Sequence, residues 1–205
     1  MPARRRLRIP ARRGRRAIDG SSGRAVTDGS SGQPTIDGSS GRRAADGSSG
    51  RAVTDGYRAL LVCSSGGHLT QLLALEPWWQ RTERTWVTFD TADAVGALVG
   101  ERVVFAHHPT TRNIPNLLRN LRLAVGTLRS ERPDVIVSDG AGVAVPFFWL
   151  SRLMGGRTVY LEVYDRLDSA TLTGRLVRPV TDLFAVQWDE QLECNPGAVV
   201  VGPVL

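Results

Sequence analysis

The sequence predicts an α/β domain whose parallel sheet is covered by helices on both faces. In the second half of this 205-residue chain, short apolar runs alternate with segments whose apolar residues recur at helical spacing. The runs are apolar throughout, as in Val135-Ile136-Val137, which is typical of parallel strands buried on both faces. Two of them pass through glycines into a helix. Ligands of such sheets bind at the carboxyl ends of the strands.

Seven apolar runs have the length and composition of strands. Their boundaries are set by glycine, proline and charged residues on either side. We predict strands over 59–63, 85–89, 102–105, 134–138, 158–162, 183–187 and 198–201.

Helical periodicity fills the intervals between these strands. Pro77 limits the first helix, and Gly155-Gly156 is a strong termination signal for the fourth. The third helix has leucines on one stripe and arginines on the other face. We predict helices over 68–79, 92–99, 114–129, 141–154, 169–180 and 189–194.

A composition change divides the chain into residues 1–56 and 57–205. The first part repeats Asp-Gly every nine residues from Asp19 to Asp55, and it holds twelve arginines against five aspartates. Such polar, glycine- and serine-rich sequence predicts a disordered tail. It is either a dispensable extension or, through its Arg-rich start, a binder of anionic lipid or nucleic acid. Residues 57–205 are long enough for one globular domain with a core.

Charge, cysteines and hydropathy exclude several functional classes. The globular part is nearly neutral, with fourteen arginines and fifteen acidic residues, which argues against a nucleic-acid-binding domain. Two cysteines do not make a disulfide framework and favour a reducing compartment. His107-His108 lacks a third ligand at metal-site spacing, so we predict no metal and no cofactor. No signal peptide or transmembrane segment is expected, so any membrane contact is peripheral.

The first candidate loop follows the first predicted strand. Ser64-Ser65-Gly66-Gly67-His68 leads into a helix, whose free backbone N–H groups favour an anion such as phosphate. It lacks the Gly-Lys-Ser/Thr of a P-loop and the full dinucleotide fingerprint. His68 is a candidate to contact a phosphate or to act on a sugar hydroxyl. The alternative is a histidine bonded to solvent or backbone at a helix start.

Two further loops are expected at the same edge of the sheet. Asp139, Gly140 and Gly142 repeat the strand–glycine–helix pattern, although Asp139 also suits a simple N-cap. After the fifth strand come Glu162, Tyr164 and Arg166. Arg166 is suited to pairing with phosphate and Glu162 to orienting a hydroxyl or His68, unless these residues form only a local salt bridge.

Three motifs together resemble a known family. They are Ser-Ser-Gly-Gly-His-Leu at 64–69, Pro-Asp-Val-Ile-Val-Ser-Asp-Gly-Ala-Gly-Val-Ala-Val-Pro at 133–146, and Tyr-Leu-Glu-Val-Tyr-Asp-Arg at 160–166. The chain from 57 to 205 is similar to the asparagine-linked glycosylation protein fourteen family, whose bacterial PssD-like relatives serve exopolysaccharide synthesis. The resemblance implies a Rossmann-like fold corresponding to the N-terminal half of MurG-type GT-B glycosyltransferases.

The resemblance also implies a function. Such a chain binds a polyprenyl-diphosphate-linked acceptor at the cytoplasmic face of the membrane, while a separate donor-binding subunit brings UDP-N-acetylglucosamine. His68 and Glu162 become the expected catalytic residues. The expected substrate-binding residues are Ser65, Gly66, Gly67, Asp139, Gly140, Gly142, Tyr164 and Arg166. Gln71 departs from the Glu of many relatives. The eukaryotic transmembrane anchor is absent, and the Arg-rich tail or residues 146–150 are the possible substitutes.

Two other functions stay open at this stage. One is a non-catalytic scaffold that recruits the donor-binding subunit to the membrane. The other is a stand-alone nucleotide-binding protein, for which Asp90 after the second strand is the one acidic ribose-binding candidate.

Overall fold

The computed structural model describes residues 56–110 and 113–205. Residues 1–55, and with them nearly all of the predicted repeat tail, lie outside the described residues, so the tail stays a prediction. The described residues form an α/β domain on a seven-stranded sheet with strand order β3-β2-β1-β4-β5-β6-β7.

All paired strands run parallel, as predicted. The strands are β1 (Arg58–Val62), β2 (Glu83–Phe89), β3 (Val103–Ala106), β4 (Val135–Ser138), β5 (Arg157–Leu161), β6 (Leu183–Val186) and β7 (Val199–Val200). The helices are α1 (Gly67–Leu73), α2 (Glu76–Trp79), α3 (Ala92–Ala97), α4 (Ile114–Glu131), α5 (Ala144–Met154), α6 (Leu172–Val177) and α7 (Gln191–Cys194), with a 3₁₀ turn at Arg178–Val180.

The core lies on both faces of the sheet. Leu60 and Val62 of β1 join a cluster that includes Phe147 of α5, whereas Leu61 of β1 joins a second cluster with Leu72 of α1. Successive residues of a strand point to opposite faces, so this division confirms that helices cover both sides. Each fully buried leucine stabilises the fold by about 2 kcal/mol. β1 and β4 are neighbours in the middle of the strand order and form the centre of the domain.

Two predicted helices differ from the structure. The helix predicted over 68–79 is broken into α1 and α2, because Pro77 has no backbone N–H and its ring would clash with the carbonyl of Leu73 one turn earlier. The helix predicted from 141 begins at Ala144. Gly140 and Ala141 have positive φ angles of 132° and 63°, which no α-helix accepts.

Candidate functional site

Five loops meet at the carboxyl ends of the strands and enclose a cleft of about 1090 Å³. They follow β1, β2, β3, β4 and β5, on both sides of the point between β1 and β4 where the chain reverses its direction of strand addition. One part of the cleft is polar and is lined by Ser64, Ser65, His68, Tyr160, Arg166 and Thr171. The other part is apolar and is lined by Ile114, Leu117, Val145, Leu172 and Leu176. The cleft therefore suits a ligand with a polar head and an apolar chain.

His68 and Asp139 bring an imidazole and a carboxylate into contact at the cleft. His68 follows β1 and Asp139 follows β4, the neighbouring strand. Nδ1 of His68 lies 3.1 Å from Oδ2 of Asp139, whose side chain is fully buried. Neither carboxylate oxygen accepts a hydrogen bond of regular geometry from the described residues. The pair is therefore a close contact in which Asp139, when ionised, depends on His68 for compensation.

The two groups shift each other's protonation. Burial raises the pKa of Asp139 to about 6, although His68 opposes the shift. Burial by itself lowers the pKa of His68, but the bond to Asp139 and its charge outweigh burial, so the pKa is raised. The pKa of each group is thus raised, that of Asp139 by burial and that of His68 by Asp139, and a more basic imidazole is a better proton acceptor.

Gly140 makes room for His68. A Cβ at this position would lie 2.9 Å from Cε1 of His68 and 3.3 Å from the hydroxyl oxygen of Tyr160. The φ of 132° is also one that side chains other than hydrogen rarely allow. Gly142 is close to Thr110, which a Cβ would meet at 3.2 Å. The second glycine loop is thus shaped by close packing around the histidine.

The first glycine loop differs in one respect from the prediction of a free anion site. The backbone N–H of Gly66 donates to Oδ2 of Asp93 at 2.8 Å, and this bond helps lower the pKa of Asp93 after the larger effect of Thr91. Because the N–H of Gly66 already binds a carboxylate of the same chain, Gly67 is the glycine of this loop that keeps the predicted role in binding an anion. Ser65 lines the cleft as predicted.

In the third loop, the three predicted site residues lie in different environments. Arg166 lines the cleft. Glu162 is fully buried behind it, where Oε2 accepts a hydrogen bond from the hydroxyl of Thr171 at 3.3 Å, and burial raises its pKa. Tyr164 is half exposed, and the structure does not place its side chain among the cleft residues.

One expectation is corrected by these positions. Asp139, and not Glu162, is the carboxylate in contact with His68. Asp139 itself lies beneath the cleft rather than on its lining. The sequence interpretation missed Tyr160 and Thr171, whose hydroxyls are 2.9 Å apart beside the cleft. A tyrosine in the otherwise apolar strand Val159-Tyr160-Leu161 was the available signal.

The described residues contain no group of three or more acidic, histidine or cysteine side chains that could hold a metal ion. His107 and His108 do not form such a group with any neighbour in that part of the chain.

Comparison with solved structures defines the class of protein. MurG of Acinetobacter baumannii superposes with a TM-score of 0.58 at 17% identity, over 71% of this chain and 45% of that one. The fold is therefore the Rossmann-like fold of one half of a GT-B glycosyltransferase, as predicted, and the chain spans less than half of the MurG chain.

Sequence comparison then gives the family. The profile described as "Oligosaccharide biosynthesis protein Alg14 like" matches residues 101–204, half of the chain, and the chain belongs to this family. Candida albicans UDP-N-acetylglucosamine transferase subunit ALG14 is 26% identical over 152 residues, 63% of this chain and 69% of the relative. The human protein of the same name is 24% identical over 177 residues, 71% of this chain and 82% of the relative. The predicted resemblance is confirmed.

Proposed function

We propose that this chain is the acceptor-binding subunit of a two-chain inverting glycosyltransferase of oligosaccharide or exopolysaccharide biosynthesis. The two-chain enzyme transfers a sugar, which we expect to be N-acetylglucosamine, from a UDP-sugar to a polyprenyl-diphosphate-linked acceptor. The observation that carries the proposal is the His68–Asp139 pair inside a cleft with a polar and an apolar part. The two ALG14 relatives are named UDP-N-acetylglucosamine transferase subunits, which supports both the identity of the sugar and the proposal that this chain is a subunit.

In the proposed reaction, His68 is the general base. Asp139 holds a proton on Nδ1, so Nε2 is left to accept the proton of the acceptor hydroxyl. The hydroxyl oxygen then forms a bond to the anomeric carbon of the donor sugar, while the bond from that carbon to the diphosphate of UDP breaks and UDP takes the electron pair. Attack from the face opposite the leaving group inverts the anomeric centre. The raised pKa of His68 makes it a stronger base.

The polar part of the cleft is the proposed site of the acceptor diphosphate. Arg166 supplies positive charge, Ser65 a hydroxyl, and Gly67 and Gly142 backbone N–H groups, whereas the N–H of Gly140 already donates to Oγ of Ser138. Tyr164 and Glu162 keep their predicted roles only as proposals, with Glu162 acting from behind the cleft through Thr171.

The apolar part supports a lipid-linked substrate and peripheral attachment to the cytoplasmic face of a membrane. Leu172 and Ile114, which line the cleft, are 72% and 69% exposed, and Leu118 of α4, next to the cleft residue Leu117, is also exposed. No helix within the described ranges has the length and hydropathy to cross a bilayer. Residues 146–150 are a poor membrane contact, because Phe147 and Phe148 are fully buried and only Trp149 is half exposed.

The donor sugar is proposed to arrive on a separate subunit. The two ALG14 relatives are named as subunits of a transferase, which supports this arrangement. The UDP-sugar would then contact this chain only across the cleft edge, and no cofactor is required.

Reconstitution tests the proposal. The tagged chain is purified from membranes of its host together with any small UDP-sugar-binding protein, and the pair is given labelled UDP-N-acetylglucosamine and a lipid-linked acceptor. We expect transfer only with both chains. His68→Ala should lower turnover by about 10²–10⁴-fold without preventing assembly. His107→Ala, the same change outside the cleft, is the matched control.

Different outcomes identify the other functions. Unchanged transfer by His68→Ala contradicts the general base. A variant that fails to assemble favours the scaffold, and UDP-sugar binding by the isolated chain favours a stand-alone nucleotide-binding protein.

A further inference from the structure

The loop that carries Arg166 is hydrogen-bonded to a neighbouring segment, residues 187–194, none of which lines the cleft. We propose that Gln191, assisted by Gln187, is a positioning residue that fixes the loop 163–166 and thereby the place of Arg166 in the cleft. The inference rests on the proposed role of Arg166 in acceptor binding.

Gln191 uses its whole carboxamide for this purpose. Nε2 donates to the carbonyl oxygens of Val163 at 2.7 Å and Arg166 at 3.1 Å, the two ends of the loop. Oε1 accepts from the backbone N–H groups of Gln187 at 2.8 Å and Trp188 at 3.3 Å. The side chain is fully buried. A carboxamide is the uncharged side chain that offers two donors beside an acceptor, so no other residue type of this length reproduces the set.

The same segment binds two further carbonyl groups, one within the loop and one just before it. Nε2 of Gln187 donates to the carbonyl of Glu162 at 3.0 Å, and Nε1 of Trp188 donates to the carbonyl of Tyr164 at 3.0 Å. Oε1 of Gln187 accepts from the N–H of Val204 at 3.1 Å, so the loop is also connected to the strand-like end of the described chain.

The loop has little structure of its own. Within 163–166, the backbone bond among the described residues is a long one, from the N–H of Arg166 to the carbonyl of Val163 at 3.4 Å. Its conformation is therefore imposed by the side chains beneath it. A guanidinium that must meet a diphosphate needs its backbone fixed, because small displacements of a binding group cost much of its effect.

Two variants separate positioning from general stability. Gln191→Leu keeps the shape and removes every hydrogen bond. Gln191→Glu keeps Oε1 as acceptor but replaces the donor by an oxygen that faces two carbonyls. Thr158→Val is the matched control: Thr158 is also fully buried on β5, and its hydroxyl donates to Val180 at 2.7 Å, but at the other end of the strand.

The first measurement is hydrogen–deuterium exchange of the backbone amides of 163–167 in the full chain with its partner. We expect faster exchange in both Gln191 variants and unchanged exchange in Thr158→Val. Unchanged exchange in a folded Gln191 variant, or equal acceleration in Thr158→Val, overturns the inference. This measurement does not depend on the identity of the substrate.

The second measurement is calorimetric binding of a short-chain polyprenyl diphosphate carrying N-acetylglucosamine. We expect Gln191→Leu to weaken binding about tenfold and Thr158→Val to change it less than twofold. In an Arg166→Ala background, Gln191→Leu should add no further loss, because it acts through Arg166. A full additional loss overturns the inference. Failure of the wild-type pair to bind the probe contradicts instead the proposed function.

Discussion

The two ends of the parallel sheet are built with different chemistry. At the amino ends of the strands, charges are paired: Arg84 with Glu101, Arg102 with Glu131, and Arg157 with Asp182. At the carboxyl ends, the buried polar groups are carboxamides and the carboxylates of Asp139 and Glu162, which form no ion pair with an arginine among the described residues.

The carboxamides at the carboxyl end hold loops and not strands. Asn120 exchanges two hydrogen bonds of 2.8 Å with the backbone of His107, and Asn116 donates to the carbonyl of Pro109. These bonds fix the loop after β3, as Gln187 and Gln191 fix the loop after β5. The cleft is thus flanked by two loops that are each anchored by neutral, fully bonded side chains.

The difference indicates what each end does. Paired charges at a solvated edge cost little and keep neighbouring strands in register. A buried carboxylate with poor compensation costs stability, and such groups concentrate at functional sites. The amino end therefore stabilises the sheet, whereas the carboxyl end carries the poorly compensated carboxylate of Asp139 beside His68, the proposed general base.

Of the substitutions at the two ends of the sheet, Asp139→Asn should have the largest effect on transfer activity. We expect transfer by the reconstituted pair to fall about 100-fold or more, because the imidazole loses the group that sets its proton position and basicity. The free energy of unfolding at pH 7 should be no lower than that of wild type, since burial holds the pKa of Asp139 at about 6 and its ionised form is costly. Denaturant titration and a transfer assay measure both. A large loss of stability would mean that Asp139 is structural.

Glycine substitutions at the two ends should differ in function but not in stability. Gly140→Ala places a Cβ against His68, and Gly155→Ala places one in open space at a φ of 81°. Each should cost about 1–2 kcal/mol of stability, because both φ angles disfavour alanine. Only Gly140→Ala should lower transfer, by about tenfold. Equal activities would show that the position of His68 is not critical.

Within the amino end, burial should decide which ion pair matters. Glu101→Ala removes an acceptor bonded to Arg84 at 2.8 and 2.5 Å and to Nε1 of Trp86, and should cost about 1–3 kcal/mol. Arg157→Ala removes a guanidinium that is 76% exposed and should cost less than about 0.5 kcal/mol. Thermal denaturation gives both values. Acceptor binding should be unchanged in both variants, and a loss would contradict the division between the two ends.

The smallest expected effect is a shift in the pKa of His68, which tests whether Asp139 sets the protonation of the imidazole. In Asp139→Asn the larger causes that raise the pKa of His68 are removed, while burial and the smaller effect of Asp165 remain, so the pKa should fall. The stabilisation that ionised Asp139 gives to protonated His68 is lost as pH rises through the folded pKa of His68, and it is lost again as pH falls below about 6, where Asp139 takes up a proton. Proton NMR titration, with the signal assigned by His68→Ala, measures the shift. The acid limb of the transfer profile should move to lower pH with it.

The sequence predicted the fold more completely than the site. Seven apolar runs became the seven strands, because runs such as Val135-Ile136-Val137 can be buried only between helices on both faces. The loops after β1, β4 and β5 placed His68, Gly140 and Arg166 at the cleft, since carboxyl ends of neighbouring parallel strands meet at one edge. Periodicity could not show that Pro77 divides the first helix or that Ala141 has a positive φ.

The local pattern of the chain thus determined the strands, the sheet type and the edge at which a ligand binds, because these depend on residues adjacent in sequence. Only the tertiary structure decided which carboxylate faces His68. Asp139 and Glu162 follow adjacent strands and have the same chemistry, and a turn of the backbone at Gly140 directs one to the imidazole and leaves the other behind Thr171. Such a choice depends on distances between side chains far apart in sequence, which no local pattern encodes.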